Sequence, residues 1–120
     1  MRKTVLLRGP VLVNAGYGVH CRQIARWLLT KPNVDLHIEA LPWGNCPWMI
    51  GGTDPLVKAI MVRTATPPQT ADLSVQVQLP TEWNPAAAKV NVGVTAAVET
   101  DRCNPEWTVA CNRMDHVIVP

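Results

Sequence analysis

Phenylalanine is absent from this 120-residue chain and tyrosine occurs once, so five tryptophans carry nearly all the aromatic bulk. A core must therefore close with aliphatic side chains, and a hydrophobic share of 48% supplies them. Charge is also scarce. Charged residues make up 17%, below the roughly 25% of typical soluble domains, so more of the surface than usual is neutral. The formal charge of +2 is too small for a dedicated duplex-DNA binder, and no nucleic-acid partner is expected. The apolar share and low net charge exclude a disordered chain. No apolar run approaches the length of a membrane-spanning helix. Arg2 and Lys3 precede only a short apolar run, which makes no convincing signal peptide. Cys21, Cys46, Cys103 and Cys111 form no CxxC pair, so zinc-ribbon spacing is missing and no metal is expected. Isolated thiols in a reducing, cytoplasmic setting are the expectation, with disulfides left open. Neither GxGxxG nor GxxxxGK[ST] occurs, which excludes a Walker-type nucleotide site.

What is present is periodicity. Thr4 to Leu7 is a β-branched and leucine run closed by the turn signal Arg8-Gly9-Pro10. Val11 to Val13 leads into Asn14-Ala15-Gly16-Tyr17-Gly18, where closely spaced glycines permit close backbone approach. Cys21, Ile24, Ala25, Leu28 and Leu29 then recur at helical steps. They predict an amphipathic helix over Val19 to Thr30, with Arg22, Gln23 and Arg26 on its outer face. Val34 to Leu41 alternates as a strand with one buried face, nearer a sheet edge than the first strand. The opening is thus a βαβ unit.

Asp54 caps a short helix with Pro55 in its first turn. Leu73, Val75, Val77 and Leu79 alternate with Ser74, Gln76 and Gln78, and Val90, Val92 and Val94 mark a further strand running on toward Ala97. Asn104-Pro105-Glu106 starts a last helix reaching about Met114, and Val117 to Val119 is a final strand. The expected fold class is α/β: Rossmann-like, with a mainly parallel sheet and helices on both faces. A chain ending on a buried strand predicts that residues 1–120 are one such domain, the front portion of something longer.

In an open parallel sheet, ligands bind beyond the C-terminal strand ends. Three features fall there. The first is the loop Asn14 to His20, whose Gly16 and Gly18 read equally as a cradle for phosphate and as a tight turn. Tyr17 and His20 lie on its rim, His20 in the first helical turn. The second is Thr95 to Arg102, which offers Glu99 and Asp101 to accept a proton or bind a hydroxyl, or to pair with Arg102. The third is Trp43, Trp48 and Trp83, in loops where indoles stack on sugars or bases. Trp27 and Trp107 are expected to pack in the core.

Asn91 to Arg102, Pro105-Glu106-Trp107 and Met114 to Pro120 together resemble the N-terminal domain of retaining GT-B glycosyltransferases of the group 1 and family 4 type. Asp115 to Pro120 fits that family's pattern of Asp, x, apolar, x, Val, Pro. The loop Asn14 to Gly18 with His20 and Arg22 resembles its glycine loop, although Ala15 replaces the commoner first glycine of a pair. The resemblance covers the two ends of the chain well and Leu41 to Asp72 poorly. It implies two Rossmann-like domains facing across a cleft, of which this chain is the acceptor-side half. A nucleotide-sugar donor would be a co-substrate bound by a C-terminal domain not present here, and the acceptor would be a carbohydrate or glycoconjugate hydroxyl. No cofactor is implied, and peripheral membrane contact is compatible with the reading. Gly16 and Gly18 would lie near the donor diphosphate, and Glu99 near the reaction centre. Gly18→Ala and Glu99→Gln would then lower turnover with the fold intact, and the 120 residues alone would be inactive. The other reading is a non-catalytic binding or assembly module on the same α/β frame.

Overall fold

The computed structural model describes residues 3–13, 16–41, 54–64, 70–79, 82–95, 109 and 112–118. In chain order these form β1 (Lys3–Gly9), α1 (Gly16–Leu29), β2 (Val34–Ala40), α2 (Pro55–Arg63), β3 (Leu73–Val77), β4 (Val90–Val94) and β5 (His116–Ile118). The strands make one sheet in the order β2-β1-β3-β4-β5, and every neighbouring pair is parallel. Val5 lies beside Leu36 and Leu73, Leu73 beside Val90, and Val92 beside His116. The expected α/β fold, with helices on both faces of a parallel sheet, is the one observed. β2 is an edge strand, as its alternation indicated. β5 is the other edge; it starts at His116, one residue before the expected strand, and Ile118 is exposed rather than buried as expected. Of the last expected helix, Val109, Asn112, Arg113 and Met114 are described; the first three are helical and Met114 is a bend.

One sheet face is aliphatic. Val5 and Leu7 share it with Leu36, Ile38, Val77 and Val94, and α1 sets Cys21, Ala25 and Leu28 against it. Each large aliphatic side chain buried there contributes about 1.5–3 kcal/mol. Burial pushes the free Cys21 thiol up to about 12, against a smaller opposing pull from Arg22, so it stays protonated and inert at neutral pH. α1 starts at Gly16, three residues before the predicted start at Val19. The apolar period registers only where the helix meets the core, so it is blind to the first turn. Trp27 is not the core residue expected of it: it is 59% exposed, with the Lys31 ammonium 4.9 Å from its ring centroid. It sits about 100° around the helix from Leu28, beyond the buried stripe.

The other face is polar. α2 covers its β2 side, capped by Asp54, whose carboxylate accepts from the Leu56 N–H at 2.9 Å, with Pro55 at its start. Arg63 of α2 reaches Asp35 on this face at 4.0 Å. Over β3 and β4 residues 82–89, with no α-helix among them, take the place of a helix. Their backbone has no ladder of its own, and buried side chains of the sheet satisfy it. Gln76, fully buried, accepts from the Asn84 N–H at 2.7 Å and donates to the Asn84 carbonyl at 2.6 Å. Asn91 accepts from the Ala88 N–H at 2.9 Å and donates to the carbonyls of Pro85 and Ala88 at 2.7 and 2.9 Å. The Ser74 hydroxyl joins the two, donating to Asn91 Oδ1 at 2.7 Å and accepting from Gln76 at 3.0 Å. Trp83 lies on Gly93, where a Cβ would come within 2.6 Å of the indole. So Trp83, 7% exposed, packs against the sheet instead of standing in a ligand loop.

Asp72 fastens the N-terminal edge of the sheet. Its carboxylate accepts from the Thr4 N–H at 3.0 Å, and its own N–H donates to the Thr4 carbonyl at 2.9 Å. The Thr4 bond, helped by Lys89 and Lys3 and opposed by desolvation, holds this carboxyl below its ordinary pKa of 3.8. A depressed folded pKa stabilises above the unfolded value and is lost as pH falls through the folded one. Asp72→Asn is therefore expected to flatten the acid limb of a stability-against-pH curve below 3.8, and an unchanged limb would refute the assignment. Gly93→Ala is expected to cost about 1–3 kcal/mol by overpacking in urea unfolding. In a Trp83→Leu background most of that cost should vanish, whereas full additivity would show that the ring does not cover Gly93.

Candidate functional site

The strand order reverses between β1 and β3, so the chain leaves these neighbours toward opposite faces. After β1 it runs to α1 on the aliphatic side, and after β3 it folds over the polar side. Such a switch point leaves a crevice at the C-terminal strand ends, where open α/β sheets bind ligands.

The first wall of the crevice is the turn after β1. Val13 N–H donates to the Pro10 carbonyl at 3.0 Å, and Val11 N–H to the Gly9 carbonyl at 2.9 Å. α1 packs so tightly beneath this turn that a Cβ on Gly18 would run into the Val13 carbonyl oxygen and come within 2.9 Å of that of Pro10. Gly18 is buried, so its role in the fold is close approach. Arg22 completes the arrangement, donating from Nη1 to the carbonyls of Val11 and Val13 at 3.1 and 2.8 Å. The sequence placed Arg22 on the solvated face. It turns inward, and its guanidinium meets two carbonyls of the turn.

Gly16 opens α1, and no acidic residue lies in that first turn. The helix dipole presents its positive end here, with no carboxylate from its own first turn to offset it. The Tyr17 hydroxyl shares a hydrogen bond of 3.0 Å with the hydroxyl of Thr95, the residue that follows β4. The start of α1 and the end of β4 are thereby joined on one edge. Glu99, Asp101 and Arg102 lie outside the described residues, as do Trp43, Trp48 and Trp107. His20 falls in the second turn rather than the first, because α1 starts early. It is half-buried and lines an apolar trough of about 350 Å³ with Ile24, Val75, Val92, Val94 and Ile118. Asp115 holds β5 beside β4. Its carboxylate accepts from the Asn91 N–H at 2.7 Å, and its own N–H donates to the Asn91 carbonyl at 2.9 Å.

The second wall holds residues that the sequence did not single out. Arg8, next to last in β1, donates from Nε to Glu39 Oε2 at 2.8 Å. Its Nη1 donates to Gln76 Oε1 at 3.0 Å and Gln78 Oε1 at 3.4 Å. Arg8 stood in a turn signal, and nothing in its sequence neighbourhood announced partners from β2 and β3. Among the described residues no cluster of three or more His, Cys, Asp or Glu is gathered, and no helix is long and apolar enough to cross a membrane.

Compared with protein-family models, curated proteins and solved structures, the chain matches none. The fold and the crevice therefore carry the functional argument. Gly18→Ala is expected to destabilise the chain by about 1–3 kcal/mol, because backbone rather than a movable side chain stands in the way. This replaces the expectation of an intact fold. Tyr17→Phe, which removes the hydrogen bond to Thr95, should cost about 0.5–1.5 kcal/mol in the same thermal unfolding series. A neutral Gly18→Ala would disprove the tight packing of turn on helix.

Proposed function

We propose that this chain is the acceptor-side half of a glycosyltransferase that moves a sugar from a nucleotide-sugar donor to an acceptor hydroxyl with retention. The observation that carries the reading is the Tyr17–Thr95 hydrogen bond, which joins the glycine-bearing start of α1 to the strand end that leads toward Glu99. The sequence resemblance lies in the same two segments. In this reading the backbone N–H groups at the start of α1 steady the donor diphosphate. Glu99 orients the acceptor hydroxyl, and a second domain holds the nucleotide sugar. Catalysis needs these parts held together, so the 120 residues alone bind without turning over.

A second reading, a non-catalytic binding or assembly module, draws on the trough beside α1. Parallel sheets ordinarily have both faces covered, and here Leu73, Val75, Val92 and Ile118 line a furrow that the described helices leave open. Amide NMR on the 120-residue chain separates the two. Nucleotide sugars and simple glycosides are expected to shift the amides of Gly16, Tyr17, Gly18 and Thr95. In the natural gene product, Glu99→Gln should lower transfer at least tenfold with an unchanged melting temperature. Unperturbed C-terminal-edge amides, or transfer at wild-type rate by the variant, would reject the glycosyltransferase reading.

A further inference from the structure

We infer that Arg8 is the anion-contacting residue of the switch-point crevice and takes a phosphate group of the ligand on its outer guanidinium edge. The inference rests on the glycosyltransferase reading for what carries that phosphate. The guanidinium is planar and permanently charged, with five donors in a rigid fork. Its Nε and Nη1 are fixed, by Glu39 on β2 and by Gln76 and Gln78 at the end of β3. Gln76 is itself held by both backbone groups of Asn84, so the fork is anchored to the buried polar face. The hydrogen bonds found among the described residues use Nε and Nη1 and leave Nη2 to what enters the crevice.

A brace of purely structural purpose would not require an arginine at the switch point. The side chain is only 17% exposed, yet the single carboxylate that neutralises it is 48% exposed, on the rim. Burying a guanidinium this far costs desolvation, and an exposed partner returns little of it. An incoming phosphate would replace or join that carboxylate and offer oxygens in bidentate geometry. Arg8 also lies at the C-terminal edge of the sheet where α1 starts, and the first turn of α1 holds no acidic residue.

The test uses the 120-residue chain and inorganic pyrophosphate, followed through the Arg8 side-chain Nε–H resonance and by calorimetry. Saturable binding that shifts this resonance is expected. Arg8→Lys keeps the charge and loses the fork, and should weaken binding about tenfold. Glu39→Gln removes the competing carboxylate and should tighten binding by up to about fivefold, the equivalent of an exposed ion pair. Because Arg8→Lys could perturb the sheet, its melting temperature is compared, and Glu39→Gln provides a variant that leaves the arginine in place. Pyrophosphate binding that ignores both substitutions, or no binding by the folded wild type, would overturn the inference. If pyrophosphate binds through Arg8 while nucleotide sugars bind no more tightly than pyrophosphate, the anion site stands and the glycosyltransferase reading fails.

Discussion

The described residues between β3 and β4 cross the sheet without an α-helix, and their backbone groups must still be hydrogen-bonded. This constraint organises the polar half of the molecule. A helix would satisfy its own peptide groups, but this connection relies on Gln76 and Asn91, two side chains of the sheet. Each amide is bipolar, so one residue meets a donor and an acceptor on the same stretch of loop. Ser74 links them, and Asp115 extends the row to β5 through the Asn91 backbone. A buried network of this kind is favourable only when complete, because any orphaned member costs its full desolvation. Among the described residues, the buried side-chain atom left without a partner is the Trp83 indole nitrogen, in the same layer.

The two faces therefore hold the sheet by different physics. On the aliphatic side α1 contributes non-directional burial, which tolerates small shifts. On the polar side distance and direction are specified at each bond. Arg8 sits where the second system reaches the C-terminal edge, tied at once to β2 and to the end of β3. The switch point is consequently stiff on its polar wall. On the other wall, Gly18 and Arg22 lock the turn after β1 against α1.

The opposite edge completes this division of labour. Asp72 ties β1 to the start of β3 through backbone and carboxylate together, and Lys89 lies 3.5 Å from it. Strand register is thus held at the N-terminal edge by Asp72 as it is held at the C-terminal edge by Arg8.

Local chemistry alone determined a good deal. Alternation in Val34–Leu41 and Leu73–Leu79 marked strands, the three-and-four spacing from Cys21 to Leu29 marked α1, and Asp54-Pro55 marked the start of α2. These signals work because burial and capping act over one or two turns of chain. Glu99, the residue assigned the chemistry, lies outside the described residues, and Gly16 to Gly18, expected as a loop, are instead the opening of α1, because the apolar period does not register before the helix meets the core. What a polar alternation means was not legible. Ser74, Gln76 and Asn91 look like a water-facing row, and only the tertiary structure buries them under a loop. The same holds for Arg22, drawn inward by carbonyls of the preceding turn, for Trp27, left outside the buried stripe, and for Trp83, flattened on Gly93. Arg8 acquires its partners from residues 31, 68 and 70 positions away. A side chain's own sequence neighbours set its secondary structure, but its partners across the sheet set whether its polar atoms meet water, backbone or ligand, and strand order decides those partners.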